Sequence, residues 1–157
     1  TKDGRAAYTV GLKLGKAVGG GYYILDVVRF RGTPGEVETS IKGCAERDKC
    51  AVSIPQDPGQ AGKAQKSTLA TLLDGHNCHF SPETGAKEDR AKPIAAQAEA
   101  GNVYMVRGPW NDTFLAEVGL FPGSEFKDQV DALSRAHAYI VQNDTVDLAM
   151  TPGKVIR

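Results

Sequence analysis

Apolar and polar positions change their period several times along this chain, and each change marks an element. Residues 6–14, Ala-Ala-Tyr-Thr-Val-Gly-Leu-Lys-Leu, and residues 22–30, Tyr-Tyr-Ile-Leu-Asp-Val-Val-Arg-Phe, are rich in β-branched and aromatic side chains. Both predict strands. Residues 15–21 between them hold four glycines, which predicts an antiparallel hairpin. No Lys-Ser or Lys-Thr follows those glycines, so the loop is not a phosphate cradle. Thr33-Pro34-Gly35-Glu36 combines a capping Thr, a Pro at the first helical position and a Glu three residues after the cap. That is a helix start, and the helix runs to about Arg47.

Further on, residues 51–54, Ala-Val-Ser-Ile, predict a short buried strand that ends just before Asp57. Residues 62–73 predict a helix with Ala64, Leu69, Leu72 and Leu73 as its buried stripe, ended by Asp74-Gly75. Residues 77–80 read as a strand and residues 88–99 as a helix that must carry Pro93 near its first turn or kink there. A strand over 103–106, a helix over 110–118 and a last helix from 126 to about 142 complete the pattern. A hairpin followed by alternating helices and strands predicts an α/β domain, a mixed sheet with helices on both faces. The 157 residues suffice for one domain, expected over 1–142, with a loosely structured tail over 143–157.

Candidate chemistry lies in two acidic stretches. In Ser53-Ile-Pro-Gln-Asp-Pro-Gly-Gln-Ala-Gly-Lys63, Asp57 falls where a strand stops and the backbone turns. In Lys127-Asp-Gln-Val-Asp-Ala-Leu133, Asp128 and Asp131 are three apart and project from one face of a helix. Carboxylates at a strand end and on a helix can converge on a divalent cation, which suits phosphodiester hydrolysis. The plainer reading is a turn residue for Asp57 and N-terminal dipole partners for the other two. Gly59, Gly62, Lys63 and Lys66 form a strand-to-helix turn that either approaches a phosphate through bare amides or simply shapes the turn. Arg90, Lys92 and Arg107 are further candidates for contacts to a nucleic-acid backbone.

Charge and cysteine content narrow the setting. Nineteen basic residues balance nineteen acidic ones, so no global basic field announces a nucleic-acid partner, although a local stripe remains compatible with that sum. Cys44, Cys50 and Cys78 are odd in number and lack framework spacing, which predicts reduced thiols in a cytosolic protein. With His76 and His79 they fit no common structural zinc spacing. No apolar run approaches the roughly 20 residues a membrane span requires, so no membrane partner is expected. No Gly-x4-Gly-Lys-Ser/Thr motif is present, so the chain carries no ATP-hydrolysing phosphate loop.

The ordered motifs resemble the C-terminal nuclease domain of phage and prophage terminase large subunits, the motors that package and cut concatemeric DNA. The resemblance rests on Tyr8-Thr-Val-Gly-Leu-Lys-Leu-Gly15, Tyr22-Tyr-Ile-Leu-Asp-Val-Val-Arg29, Gly32-Thr-Pro-Gly-Glu-Val-Glu38, Gln56-Asp-Pro-Gly59, Gly62-Lys-Ala-Gln65, Arg90-Ala-Lys-Pro93, Ala95-Ala-Gln-Ala-Glu-Ala-Gly101, Val106-Arg-Gly-Pro-Trp-Asn111 and Asp128-Gln-Val-Asp-Ala-Leu133. It implies a ribonuclease H-like fold and a metal-dependent endodeoxyribonuclease using two Mg2+ or Mn2+ ions. By that resemblance Asp57 is the strand-end ligand, Asp131 the last-helix ligand and Asp128 an auxiliary one. Double-stranded DNA, the terminase small subunit and the portal are the implied partners, in the cytoplasm of the bacterial host.

The resemblance also implies a first strand upstream of Tyr8 carrying the primary metal-binding aspartate. With Thr1 as the first residue, that strand is expected to be missing or incomplete, leaving Asp3 and Asp26 as the nearest acids. Phe126-Lys127 stand where the family often has His-Asp. Two other readings follow from the same residues. One is a catalytically defective module that docks on DNA or the portal; the other is a ribonuclease H-like nuclease of the junction-resolvase kind.

Overall fold

The computed structural model describes residues 7–150, with side chains described for 7–143. Elements follow in the order β1 (Thr9–Lys16), β2 (Tyr22–Phe30), α1 (Pro34–Asp48), β3 (Val52–Pro55), α2 (Gly59–Leu72), β4 (Cys78–Ser81), α3 (Lys87–Glu99), β5 (Val103–Met105), α4 (Asn111–Leu120) and α5 (Asp128–Met150). Every element that the sequence pattern predicts is present, with ends displaced by a few residues. Of the expected tail over 143–157, α5 takes in the part up to Met150, and residues 151–157 lie outside the described residues.

The single domain expected over 1–142 divides into two compact units. One comprises 1–31 with 86–157; the other comprises 32–85. In the first, β1 and β2 form the expected antiparallel hairpin, with Thr9 opposite Phe30 and Lys16 opposite Tyr22. β5 adds to the other side of β2 in parallel, so the three-stranded sheet is mixed. Its core gathers Leu14, Tyr22, Ile24, Val27, Ile94, Phe114, Leu133 and Ile140, drawn from both strands and from α3, α4 and α5. In the second unit β3 and β4 pair in parallel as a sheet of their own. Ala45, Ile54, Leu69 and Leu73 form its separate core. The expectation of one mixed sheet therefore holds for the hairpin unit. The β3–β4 pair has its own buried cluster and, among the described residues, no backbone ladder joins it to the hairpin sheet.

Local sequence explains the element boundaries. Thr33 caps α1 as a reciprocal box, its hydroxyl accepting from the Glu36 amide at 3.3 Å while the Glu36 carboxylate accepts from the Thr33 amide at 2.7 Å. α3 carries Pro93 in its middle, not near its first turn. Pro93 is exposed, so water can satisfy the carbonyl that lacks its usual amide donor.

One core position is chemically unusual. His137 on α5 is 4% exposed and its ring meets that of Tyr22 edge-to-face at 4.7 Å. Its Nε2 is buried with no hydrogen-bond partner. Burial, and then the charge of Lys16, hold its pKa below the ordinary histidine value. The folded state therefore binds this proton less readily than the unfolded chain. As pH falls through the unfolded value of about 6.5 the unfolded chain takes up the proton first, and stability is lost until the lower folded value is passed. His137→Phe keeps an aromatic edge for Tyr22 and removes the titration. Thermal midpoints measured between neutral and mildly acidic pH should fall less steeply for this variant than for the wild-type chain.

Candidate active site

α5 begins with the two acids singled out by spacing, and neighbouring helices of the hairpin unit hold that beginning in place. Asp131 is 8% exposed, which is costly for a carboxylate unless it is paired. Arg90 of α3 supplies the pairing as a two-pronged fork. Its Nε donates to Asp131 Oδ1 at 3.0 Å and its Nη2 to Oδ2 at 2.8 Å. Lys87, one turn earlier on α3, donates to Asp128 Oδ1 at 2.8 Å and lies 3.8 Å from Asp131 Oδ2. Lys127 pairs with Glu88 on the same helix pair, and that hydrogen bond holds the Glu88 carboxyl below its usual range. Positions three apart on α3 thus meet positions three apart on α5, as helix geometry requires of two facing stripes.

A second buried acid fixes the same helix end. Glu117 of α4 is 6% exposed; its Oε2 accepts from the Val130 backbone amide at 2.8 Å and its Oε1 from the Gln129 side chain at 3.2 Å. The first amides of a helix have no partner within it, and a carboxylate there meets both the hydrogen bond and the helix dipole. Gln129, 1% exposed, reaches on to the Thr113 carbonyl. Sequence reasoning missed both Glu117 and the pairing of Arg90 with Asp131. The sequence signal for Glu117 is an acid placed three residues after the apolar Phe114, on the same helix face.

The remaining candidates are fixed by their own local surroundings. Asp57 is exposed beyond the end of β3, in the second unit. Gly62 explains the turn that follows: a Cβ placed there would lie 1.9 Å from the Asp57 carbonyl oxygen, so α2 closes onto the backbone of Asp57 itself. Gly59 adopts φ of 89°, a conformation that favours glycine. Both glycines are therefore required by the turn. Lys63 is exposed, and the Lys66 ammonium lies 5.7 Å from the Phe80 ring. Lys92 pairs with Asp89 on its own helix at 2.6 Å, and Arg107 is exposed. The seven cation and glycine candidates are thus spread over both units: Arg90 serves Asp131, and Lys92 serves its own helix.

The family's sequence profile, described as the terminase RNaseH-like domain, matches residues 3–139. The chain belongs to that family. Among curated proteins, none matches it at a significant level. Membership agrees with the α/β architecture and with the mixed sheet of the hairpin unit. Domains of this family are nuclease-type, and such domains typically use divalent metals. Among the described residues no group of three or more His, Cys, Asp or Glu side chains forms a ready metal cradle. No helix among them is long and apolar enough to cross a membrane.

The donor chemistry of each acid decides how well a divalent cation fits. Asp131 has both oxygens engaged by the Arg90 fork, one hydrogen bond to each. Asp128 fits better: its side chain is 26% exposed and Lys87 engages one oxygen only. The resemblance ranks Asp131 ahead of Asp128 as a ligand; Arg90 engages Asp131, and Lys87 engages Asp128 through one oxygen.

Two outcomes test this construction. Arg90→Ala leaves Asp131 enclosed without its fork and should cost about 2–3 kcal/mol in urea unfolding, with Arg90→Lys recovering part of the loss. Gly62→Ala should cost about 1–3 kcal/mol, since the added methyl group cannot be accommodated without moving the Asp57 backbone.

Proposed function

We propose that this chain is the DNA-cutting part of a phage or prophage packaging terminase, a divalent-metal-dependent endonuclease acting on concatemeric double-stranded DNA. The observation that carries the reading is Asp128: a partly exposed carboxylate at the start of α5, flanked by Lys87, with the helix end beneath it fixed by Arg90 and Glu117. Family membership over residues 3–139 supports the reaction class. Mg2+ or Mn2+, when bound, supplies charge stabilisation for the leaving 3′ oxygen and lowers the pKa of an attacking water.

What this chain's residues contribute follows from their partners. Asp128 offers a hard oxygen donor. Lys87 beside it neutralises one carboxylate oxygen and offers an ammonium group to an anionic phosphate. Asp131 acts through Arg90, locking α3 against α5 so that Asp128 and Lys87 keep their separation. Asp57 is proposed as a ligand on the resemblance alone; its exposure leaves its carboxylate open to a cation. DNA, the small subunit and the portal are the partners this role requires, and the host cytoplasm is where it operates.

A non-cleaving docking module is the second reading, favoured by one observation: Asp128 and Asp131 are already balanced by Lys87 and Arg90. Supercoiled plasmid incubated with the chain and Mn2+ separates the two. The nuclease reading expects nicking by the wild-type chain and its loss in Asp128→Asn and Asp57→Asn with little change in thermal midpoint. Asp131→Asn should lower the midpoint and reduce nicking only in part. Absence of nicking by the wild-type chain favours docking. Loss of nicking in Asp131→Asn at an unchanged midpoint, with Asp128→Asn active, makes Asp131 the ligand.

A further inference from the structure

The face of the hairpin that packs under α5 ends in two cations. Along β1 this face carries Val10, Leu12 and Leu14, and across the ladder Val27 stands opposite Leu12 and Arg29 opposite Val10. The apolar stripe thus changes to arginine at the end of β2, and Arg31, two residues on, falls on the same face. Both guanidinium groups stack on one ring. Arg29 lies 3.4 Å and Arg31 4.0 Å from the centre of Tyr8. Phe126 meets Tyr8 edge-to-face at 5.0 Å and lies 5.5 and 5.7 Å from the same two cations.

Two like charges against one ring repel each other, and the quadrupole of the ring offsets that only in part. Among the described residues neither arginine has a carboxylate partner. The Nε of half-buried Arg29 is enclosed and donates to nothing. That enclosed Nε is beyond reach from outside, so the donors left for an anion are the outer guanidinium edges of the pair, foremost those of exposed Arg31. Arginine forks match phosphate oxygens in geometry, and aromatic stacking keeps the guanidinium planes fixed while their edges stay free to donate. Phe126 is two residues before Asp128, so their Cα atoms are at most about 7 Å apart.

We propose that Arg29 and Arg31, stacked on Tyr8 and Phe126, form a clamp for a phosphodiester phosphate of duplex DNA beside the start of α5. The clamp holds the DNA backbone and reads no base. This rests on the nucleic-acid reading of the chain but not on cleavage, and binding is therefore measured in EDTA. Fluorescence anisotropy with a short labelled duplex, over a series of salt concentrations, gives both affinity and salt slope. Arg31→Gln should weaken binding several-fold at low salt and reduce the slope by about one. Arg31→Lys, which keeps the charge, should keep the slope and lose part of the affinity. Arg29→Gln should act like Arg31→Gln; if it unfolds, exposed Arg31 decides alone. Unchanged affinity and slope in a folded Arg31→Gln overturn the clamp. So does a thermal shift by inorganic phosphate that needs Arg31 while DNA binding does not, since the site would then serve a free anion. Arg31-dependent binding without plasmid nicking leaves the clamp standing and removes only the nuclease reading.

Discussion

The start of α5 depends on an exchange of charge between three helices. Asp131 is enclosed, a costly place for a carboxylate without a partner, and the Arg90 fork supplies two charge-assisted hydrogen bonds from α3. Glu117, equally enclosed, is satisfied by the amide of Val130 and the amide group of Gln129 from α5 itself. The two buried acids work in opposite senses. Asp131 faces outward from α5 to recruit a cation, and Glu117 faces into α5 to cap it. Between them they set both the rotation of α5 and its position along its own axis, which apolar packing of Val130 and Leu133 alone would leave freer to slide. Buried ion pairs contribute little to stability on balance, and specificity of arrangement is the reading this unit supports for retaining one.

That division explains why two acids on one face are not equivalent. Spacing of three places Asp128 and Asp131 on one stripe, but α3 sets an arginine against the later acid and a lysine against the earlier one. A guanidinium presents a rigid fork and takes both oxygens; an ammonium is a point charge and takes one. The acid left with a free oxygen is the one at the helix start, where the dipole already favours negative charge. Rotation by a residue would exchange these roles, and Glu117 on the Val130 amide is what opposes such rotation.

Much of this fold was legible in the sequence because its signals are local. Thr33 with Glu36 announces a helix start that the side chains then execute. Gly62 marks a turn whose backbone leaves no room for a Cβ, and Gly59 holds a left-handed φ that favours glycine. Asp128 and Asp131 could be placed on one face from spacing alone. The partners of those acids were not legible, since Arg90 stands 41 residues before Asp131 and Glu117 13 residues before Val130. No local rule connects positions so far apart. By sequence Arg90 is a candidate for contact with a nucleic-acid backbone, and nothing local points to its fork on Asp131. The division into two units was likewise hidden, because periodicity reports which face of a strand is buried but not which sheet it joins.

Net charge misled for a related reason. Nineteen cations against nineteen anions suggests a surface without a field, but a sum says nothing about where the charges are neutralised. Lys87, Arg90, Lys92 and Lys127 are each spent on a carboxylate nearby, whereas Arg29 and Arg31 rest on aromatic rings. A ring screens a cation without cancelling its charge, so the electrostatic reach of those two arginines survives where that of the paired cations does not. Tyr8 and Phe126 also shield the stacked faces from water, which leaves the guanidinium edges as the directions in which hydrogen bonds can form. A neutral chain can therefore hold a local basic site, provided its acids are committed to its other cations. In this unit α3 and α5 carry out that commitment, and the end of the hairpin keeps the remainder.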